Sequence, residues 1–216
     1  MSLLDDESKK RVKEILSRDF RNPVDIMVFT EEEGCRFCKE TLQIAREVSS
    51  LNPDIMVKHY PYGSSSWEAE KYGIKIFPAT IIASPEKDYG IRFFGIPSGY
   101  EFETYLKDIL MVSNGKTMLR DSTKDFIKSI REPLNIKVFV TPTCPYCPSM
   151  VFYAHQFAFE NDMIIGEMIE AMEFPKLAEK YNVTGVPKLV VNDLHELIGM
   201  RSEKQLVDFL KHVLED

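Results

Sequence analysis

The hydrophobic pattern of the chain runs through one succession of elements and then repeats it. Apolar positions spaced three to four residues apart predict helices, and short continuous or alternating apolar runs predict strands. Each half reads as helix, strand, helix, strand, short helix, hairpin and helix. The predicted elements are opening helices over about 8–17 and 118–131, strands at 25–29, 55–57, 136–140 and 163–165, and hairpins that follow Pro78 and Pro187. This order predicts an α/β fold of two tandem units, each a mixed central sheet flanked by helices.

An internal repeat supports the division. At an offset of 109 residues, Glu70-Lys71-Tyr72 falls on Glu179-Lys180-Tyr181, and Pro78 falls on Pro187. Beyond the hairpins the offset is 104, and we assign the five-residue difference to a longer first turn, Ser84–Asp88. A repeat of this length indicates domain duplication, with one unit at residues 1–115 and the other at 116–216.

Composition limits the classes of function. With 216 residues, 44% of them hydrophobic, the chain is long enough for two cores. The net charge is −7 and neither half has a basic surplus, which argues against a nucleic-acid partner. No uncharged apolar run approaches 18 residues, and the first residues lack a secretory h-region. We therefore expect a cytoplasmic protein with no membrane partner.

The four cysteines form two Cys-x-x-Cys pairs, Cys35 with Cys38 and Cys144 with Cys147. In a cytoplasmic chain this spacing indicates either a redox dithiol or half of a zinc site. Structural zinc sites usually have their second pair about 15–20 residues away. Here the pairs lie in different predicted units, so a shared zinc would have to bridge them. The spacing favours two dithiols and no metal.

The chemistry of a dithiol fits the predicted position of each pair at the start of a helix. Unpaired backbone N–H groups and the helix dipole favour the thiolate, which is the nucleophile in disulfide exchange. We expect Cys35 and Cys144 to attack, and Cys38 and Cys147 to resolve the mixed disulfide. Pro145 is expected at the first helical position, where its missing N–H has no consequence.

Specific motifs resemble a known family. Cys144-Pro145-Tyr146-Cys147 is the glutaredoxin tetrapeptide, and the segments 92–102 and 140–148 resemble the protein disulfide oxidoreductases (glutaredoxin-like proteins) of thermophilic archaea and bacteria. The resemblance covers essentially the whole chain. It implies two thioredoxin folds, a cytoplasmic oxidoreductase and a thermophilic source.

The resemblance also implies a substrate-binding role for four residues. In thioredoxin folds a cis proline faces the active site, and the backbone just before it pairs with substrate peptide. This role transfers to Pro78 with Phe77, and to Pro187 with Val186.

Two departures from the family pattern concern the dithiols. The first pair encloses Arg36 and Phe37 where the second encloses Pro145 and Tyr146, so we expect these four residues to tune the two sites differently. Three glutamates precede Cys35 and oppose a further negative charge. We therefore expect the second pair to be the principal one.

The buried aspartate that thioredoxins place six residues before the first cysteine is absent. Phe29 and Val138 occupy those positions. The sequence leaves the proton acceptor for Cys38 and Cys147 unidentified.

The leading functional hypothesis is disulfide reduction, formation or isomerisation on protein substrates, with a thioredoxin-reductase-like flavoprotein as partner. No cofactor is expected, because the dithiols are themselves the redox centres. One alternative is an electron-relay module of a peroxide-reducing system, since the amino-terminal part of the bacterial alkyl hydroperoxide reductase flavoprotein is also a tandem thioredoxin fold, with one Cys-x-x-Cys. The other is a non-catalytic thioredoxin-fold chaperone or zinc scaffold.

Overall fold

The computed structural model describes residues 2–215, in which helices and strands follow the predicted order. The first half contains α1 (Asp6–Asp19), β1 (Val24–Thr30), α2 (Cys38–Ser49), β2 (Ile55–Pro61), α3 (Ser66–Lys71), β3 (Ala79–Ala83), β4 (Asp88–Phe94) and α4 (Glu101–Asn114). The second contains α5 (Asp121–Ser129), β5 (Leu134–Val140), α6 (Cys147–Glu160), β6 (Ile164–Glu170), α7 (Pro175–Lys180), β7 (Lys188–Val191), β8 (His195–Ile198) and α8 (Glu203–Val213). The predicted α/β class is confirmed.

All eight strands form one continuous sheet in the order β2-β1-β3-β4-β6-β5-β7-β8. Within each half one strand pair is parallel and two are antiparallel, so the predicted mixed sheet is confirmed. The halves join through parallel pairing of β4 with β6, from Ile91–Gly166 to Phe94–Ile169. Helix α4 ends at Asn114, next to the predicted boundary, and the division into units at 115/116 stays a prediction.

The core lies on both faces of this sheet. Strand β1 is buried along its whole length, and its residues alternate between the faces. Ile26 and Val28 belong to a large cluster that includes residues of α1, α2, α4, α5, α6 and α8. Met27 and Phe29 belong to a smaller cluster with Ala69 of α3. Such a strand reads as a continuous apolar run because neither face meets water.

The difference in length between the two hairpins lies mainly in the strands, so its assignment to the first turn was wrong. The hairpins span 79–94 and 188–198, and the turns, 84–87 and 192–194, account for one of the five residues. Strand β4 has seven residues and β8 has four. Strand β4 is longer because it lies inside the sheet with a partner on each side, whereas β8 is an edge strand.

The seam between the halves is tightly packed. Helices α4 and α6 pack against each other over β4 and β6. At its centre, His155 Nδ1 lies 2.6 Å from Asp108 Oδ2, and His155 Nε2 lies 3.1 Å from the Arg92 carbonyl oxygen. Asp108 and His155 are fully buried. Further out, the rings of Tyr89 and Phe159 stack with centroids 4.4 Å apart.

Substitution of Gly90 with alanine is expected to destabilise this seam. Gly90 has φ +77°, and a Cβ there would lie 2.5 Å from the Ile164 carbonyl oxygen, a backbone atom that cannot move aside alone. We expect a loss of about 2–4 kcal/mol from backbone strain and overpacking together, measured by urea denaturation. Gly63→Ala is the matched control, because φ there is +96° and no heavy atom lies within 4 Å. Equal losses for the two variants would contradict the close approach.

Candidate functional site

The second dithiol is a disulfide between Cys144 and Cys147, with Cα atoms 5.5 Å apart. Helix α6 begins at Cys147, so the expectation that Cys144 and Pro145 open it was wrong, and Pro145 lies in the preceding turn. Pro148 takes the second helical position instead, where no intrahelical N–H bond is lost. The expected backbone contact is nevertheless present, because the Cys147 N–H donates to Cys144 Sγ over 3.2 Å.

The first dithiol has the same geometry. Cys35 and Cys38 form a disulfide with Cα atoms 5.6 Å apart, and α2 begins at Cys38. The Glu31 N–H donates to Cys38 Sγ over 3.4 Å. Cys38 is buried and Cys35 half-buried, which suits an inner resolving thiol and an outer attacking one.

Both predicted prolines follow cis peptide bonds, Phe77–Pro78 and Val186–Pro187. Each directly precedes an inner strand, β3 or β7, that pairs with the strand leading to the dithiol of its half. The Phe77 ring packs against the Tyr62 ring, with centroids 5.0 Å apart. Substrate binding by the two proline-containing segments stays a prediction.

The residues between the cysteines face solvent to different extents. Tyr146 and Pro145 are exposed, as is Arg36, and Phe37 is half-buried. The Arg36 guanidinium lies 5.0 Å from the centroid of the Phe37 ring. The first site therefore presents a cation over an aromatic ring where the second presents a tyrosine. Their tuning of the dithiols stays a prediction.

A cavity of about 440 Å³ opens beside the first dithiol. Residues of both halves line it: Glu31, Gly34, Arg36, Tyr62, Lys75, Ile76 and Phe77 from the first, and Glu173 and Phe174 from the second. The first site is therefore completed by the loop that follows β6.

The second site receives a complementary contribution from the first half. Glu101, the first residue of α4, is 1% exposed, and neither of its carboxyl oxygens has a hydrogen-bond partner among the described residues. Its neighbours contact both flanks of the second dithiol: the Tyr100 N–H donates to the Pro142 carbonyl oxygen over 3.1 Å, and Thr104 Oγ1 lies 3.5 Å from the Pro148 carbonyl oxygen.

Burial raises the pKa of Glu101 to about 7. The Thr104 hydroxyl opposes this rise, and the Asp108 carboxyl on α4 adds to it. A carboxyl group with a pKa near 7 can both accept and return a proton at neutral pH. The structure thus places a proton-exchanging group where the sequence offered none.

The sequence concealed this residue for a definite reason. A proton acceptor was expected only in the segment before each cysteine, within the same half. Glu101, Thr104 and Asp108 occupy positions i, i+3 and i+7 of α4, and all three are buried. Polar residues at that spacing normally indicate a solvent-facing stripe. Here they face the seam, and only the packing of α4 on α6 reveals it.

The described part of the chain offers neither a metal cluster nor a membrane span. Within residues 2–215, no group of three or more His, Cys, Asp or Glu side chains is arranged to hold a metal ion. None of the helices in that range has both the length and the apolar character needed to cross a bilayer.

Comparison with known proteins agrees with this geometry. Residues 134–211 match the family model for the thioredoxin domain. The whole fold superposes on a protein disulfide oxidoreductase from Aeropyrum pernix with a TM-score of 0.90 and 29% identity, over 99% of this chain and 96% of that one. The chain is a tandem thioredoxin-fold protein. The predicted fold and family resemblance are confirmed, and with the two disulfides they support the prediction of an oxidoreductase.

A second group of relatives also matches this tandem thioredoxin-fold protein. A domain of the alkyl hydroperoxide reductase AhpF of Enterococcus faecalis superposes with a TM-score of 0.87 and 21% identity, over 95% of this chain and 98% of that one. The alkyl hydroperoxide reductase of the same kind in Staphylococcus aureus is 26% identical over 190 residues, which are 88% of this chain. The chain spans about a third of that relative's length.

Proposed function

We propose that the protein is a protein disulfide oxidoreductase that exchanges thiols and disulfides with protein substrates at two sites. The observation that carries this proposal is that each half has a complete Cys-x-x-Cys at the start of a helix and a cis proline before an adjacent strand. A relay module with one working dithiol has no need of the second pair.

Reduction at the second site follows from the roles of its two cysteines. The Cys144 thiolate attacks a substrate disulfide, forms a mixed disulfide and releases one substrate thiolate. Cys147 then loses its proton and attacks Cys144 Sγ, which closes the Cys144–Cys147 bond and releases the second substrate thiolate. Two electrons pass to the substrate, whose thiolates each take up a proton. We assign Glu101 as the acceptor of the Cys147 proton.

The second site is proposed as the principal one. Glu31, Glu32 and Glu33 precede the first dithiol and disfavour a further negative charge on Cys35. No such run precedes Cys144. The two sites are therefore expected to differ in reduction potential, with substrate proteins meeting the second first.

The electron source is proposed to be a flavoprotein of the thioredoxin-reductase type. The match to the alkyl hydroperoxide reductase AhpF, a protein of about three times the aligned length, supports a redox relay with such a partner. The chain's own redox groups are then the two dithiols, with no metal or organic cofactor. The direction of transfer depends on whether the partner supplies or removes electrons.

Electron relay to a peroxide-reducing enzyme is a second candidate, favoured by the 88% of the chain that aligns with the Staphylococcus aureus alkyl hydroperoxide reductase. It differs from the first in the acceptor. Reduced protein would transfer electrons to a cysteine-dependent peroxidase much faster than to a general protein disulfide such as insulin.

Insulin reduction in the presence of dithiothreitol tests the proposed function. We expect activity in the wild type, a loss of more than 90% in Cys144→Ser and a smaller loss in Cys35→Ser. A parallel redox titration of both variants measures the two potentials. Full activity in Cys144→Ser would contradict the assignment of the principal site. Stoichiometric zinc with no titratable thiols would replace the oxidoreductase by the scaffold.

A further inference from the structure

The cavity beside the first dithiol joins the resolving cysteine to a carboxyl group of the other half. Glu31 lines the cavity, and its N–H donates to Cys38 Sγ over 3.4 Å. Gly34 and Arg36, the sequence neighbours of Cys35, line it as well. Glu173, in the loop between β6 and α7, forms part of the same wall.

The Glu173 carboxyl group is held at one oxygen and free at the other. Oε1 accepts the Ile96 N–H over 2.6 Å, which fixes the side chain at the seam. Oε2 is buried and has no hydrogen-bond partner among the described residues. A buried carboxyl oxygen without a partner is uncommon and marks a group with a use other than packing.

Other charged groups near Glu173 are accounted for differently. Those that act on it electrostatically or share the cavity are Arg36, Glu40, Glu31, Lys75 and Glu170. Glu170 lies closest along the chain, but its two oxygens accept the Met172 and Glu173 N–H groups over 3.2 and 2.6 Å. Glu173 therefore keeps a free oxygen, whereas Glu170 holds the loop in shape.

The charge environment suits proton exchange at neutral pH. Burial raises the pKa of Glu173 to about 7, and the neighbouring Glu170 carboxyl adds to the rise. The Ile96 N–H and the Arg36 guanidinium oppose it, since both favour the ionised form. The group is thus poised between its two protonation states.

We propose that Glu173, supplied by the second half, is the positioning residue that exchanges the proton of Cys38 in the first dithiol. After Cys35 has formed a mixed disulfide with substrate, the Glu173 carboxylate accepts the Cys38 proton across the cavity. Cys38 Sγ then bonds to Cys35 Sγ, the bond between Cys35 and the substrate sulfur breaks, and the substrate thiolate leaves. Oxidation of a substrate dithiol reverses each step and returns the proton.

This inference rests on the proposed dithiol chemistry, and a single-turnover experiment separates the two. The background is Cys144→Ser with Cys147→Ser, so that only the first dithiol reacts. Reduced protein is mixed with Ellman's reagent, which releases one chromophore when Cys35 attacks and a second when Cys38 resolves. Release of two chromophores per chain establishes the working dithiol whichever result Glu173 gives. Failure to release the second would contradict the proposed function itself.

The pH dependence of the second phase tests Glu173. With Glu173 present, we expect the rate to rise through pH 7 and level off below pH 8.5, the ordinary range of a cysteine. In Glu173→Gln we expect the second phase to be at least tenfold slower at pH 8, with that inflection lost and the first phase within threefold. Glu173→Asp should recover part of the rate.

The control variant is Glu33→Gln, which removes an exposed carboxylate two residues before Cys35. It should leave the second phase within twofold of the background. Equal slowing of both phases in Glu173→Gln would show a structural role and overturn the proposal. If that variant does not fold, the background alone decides, because a second phase that rises only above pH 8 contradicts a carboxyl acceptor.

Discussion

Glu101→Gln is expected to slow reduction of protein disulfides at the second site about 100-fold at pH 7.5. The glutamine keeps the size of the side chain but cannot accept the Cys147 proton, and general base catalysis contributes about 10²–10⁴-fold in enzymes. In a Cys35→Ser, Cys38→Ser background, the wild-type rate should rise through pH 7, where Glu101 ionises, and the variant should lack this rise. Insulin reduction at a series of pH values measures both effects.

The same variant should be more stable than the wild type at alkaline pH. Burial raises the pKa of Glu101 from 4.5 in the unfolded chain to about 7 in the fold, so the folded state favours the protonated form. Its contribution is fully present below pH 4.5 and is lost as the pH rises through 7. At pH 8 the buried carboxylate is therefore expected to cost about 3 kcal/mol, which glutamine avoids.

Glu103→Gln is the matched control, because Glu103 lies two residues further along α4 and is exposed. It should change neither the rate nor its pH profile by more than twofold. A Glu101→Gln variant that is as fast as the wild type at pH 7.5 would remove Glu101 from the mechanism. A variant that is slow but also unstable at pH 8 would indicate a structural defect.

Asp108→Ala is expected to lower the free energy of unfolding by about 3–5 kcal/mol. Asp108 Oδ2 lies 2.6 Å from His155 Nδ1, and both side chains have no exposed surface. His155 Nε2 donates to the Arg92 carbonyl oxygen, since a carbonyl only accepts, and truncation of Asp108 leaves Nδ1 without a partner in a buried interface. Breaking a buried pair of this kind has a cost in the stated range.

Urea denaturation followed by circular dichroism measures the loss at the Asp108–His155 pair. Glu103→Ala serves as the control on the same helix, because it breaks only an exposed ion pair with Lys107 and should cost less than about 0.5 kcal/mol. Asp108→Asn retains a hydrogen-bonding group and should fall between the two. Losses below about 1 kcal/mol for Asp108→Ala would show that the seam tolerates an unpaired histidine.

The sequence predicted most of the fold because its signals are local and occur twice. Apolar runs located β1 and β5, and helical periodicity located α4 and α8. The start of α6 was misplaced by a few residues, because Pro145 is equally compatible with a turn and with a first helical position. The hairpin was misjudged because the length of β4 depends on its pairing with β6, which no local pattern encodes.

The site was predictable in its thiols but not in its carboxyl groups. The Cys-x-x-Cys spacing and the family resemblance indicated the cysteines and the cis prolines. Glu101 and Glu173 became visible only when the two halves were placed side by side, because each lies against the dithiol of the other half. Treating the repeats as independent domains overlooks such residues. The buried His155 shows the same limit, since its partner Asp108 comes from the first half.

The way the halves are joined has a consequence for assembly. Strand β4 of the first half contacts β6 of the second, so the units follow one another head to tail, and such a contact does not close on itself. The equivalent strands, β8 and β2, lie at the two edges, where the same pairing could recur between molecules and extend into a fibre. At four residues, β8 is three residues shorter than β4, and a short edge strand is a poor template for further pairing. The truncated last hairpin thus acts as a terminator that opposes growth beyond two units.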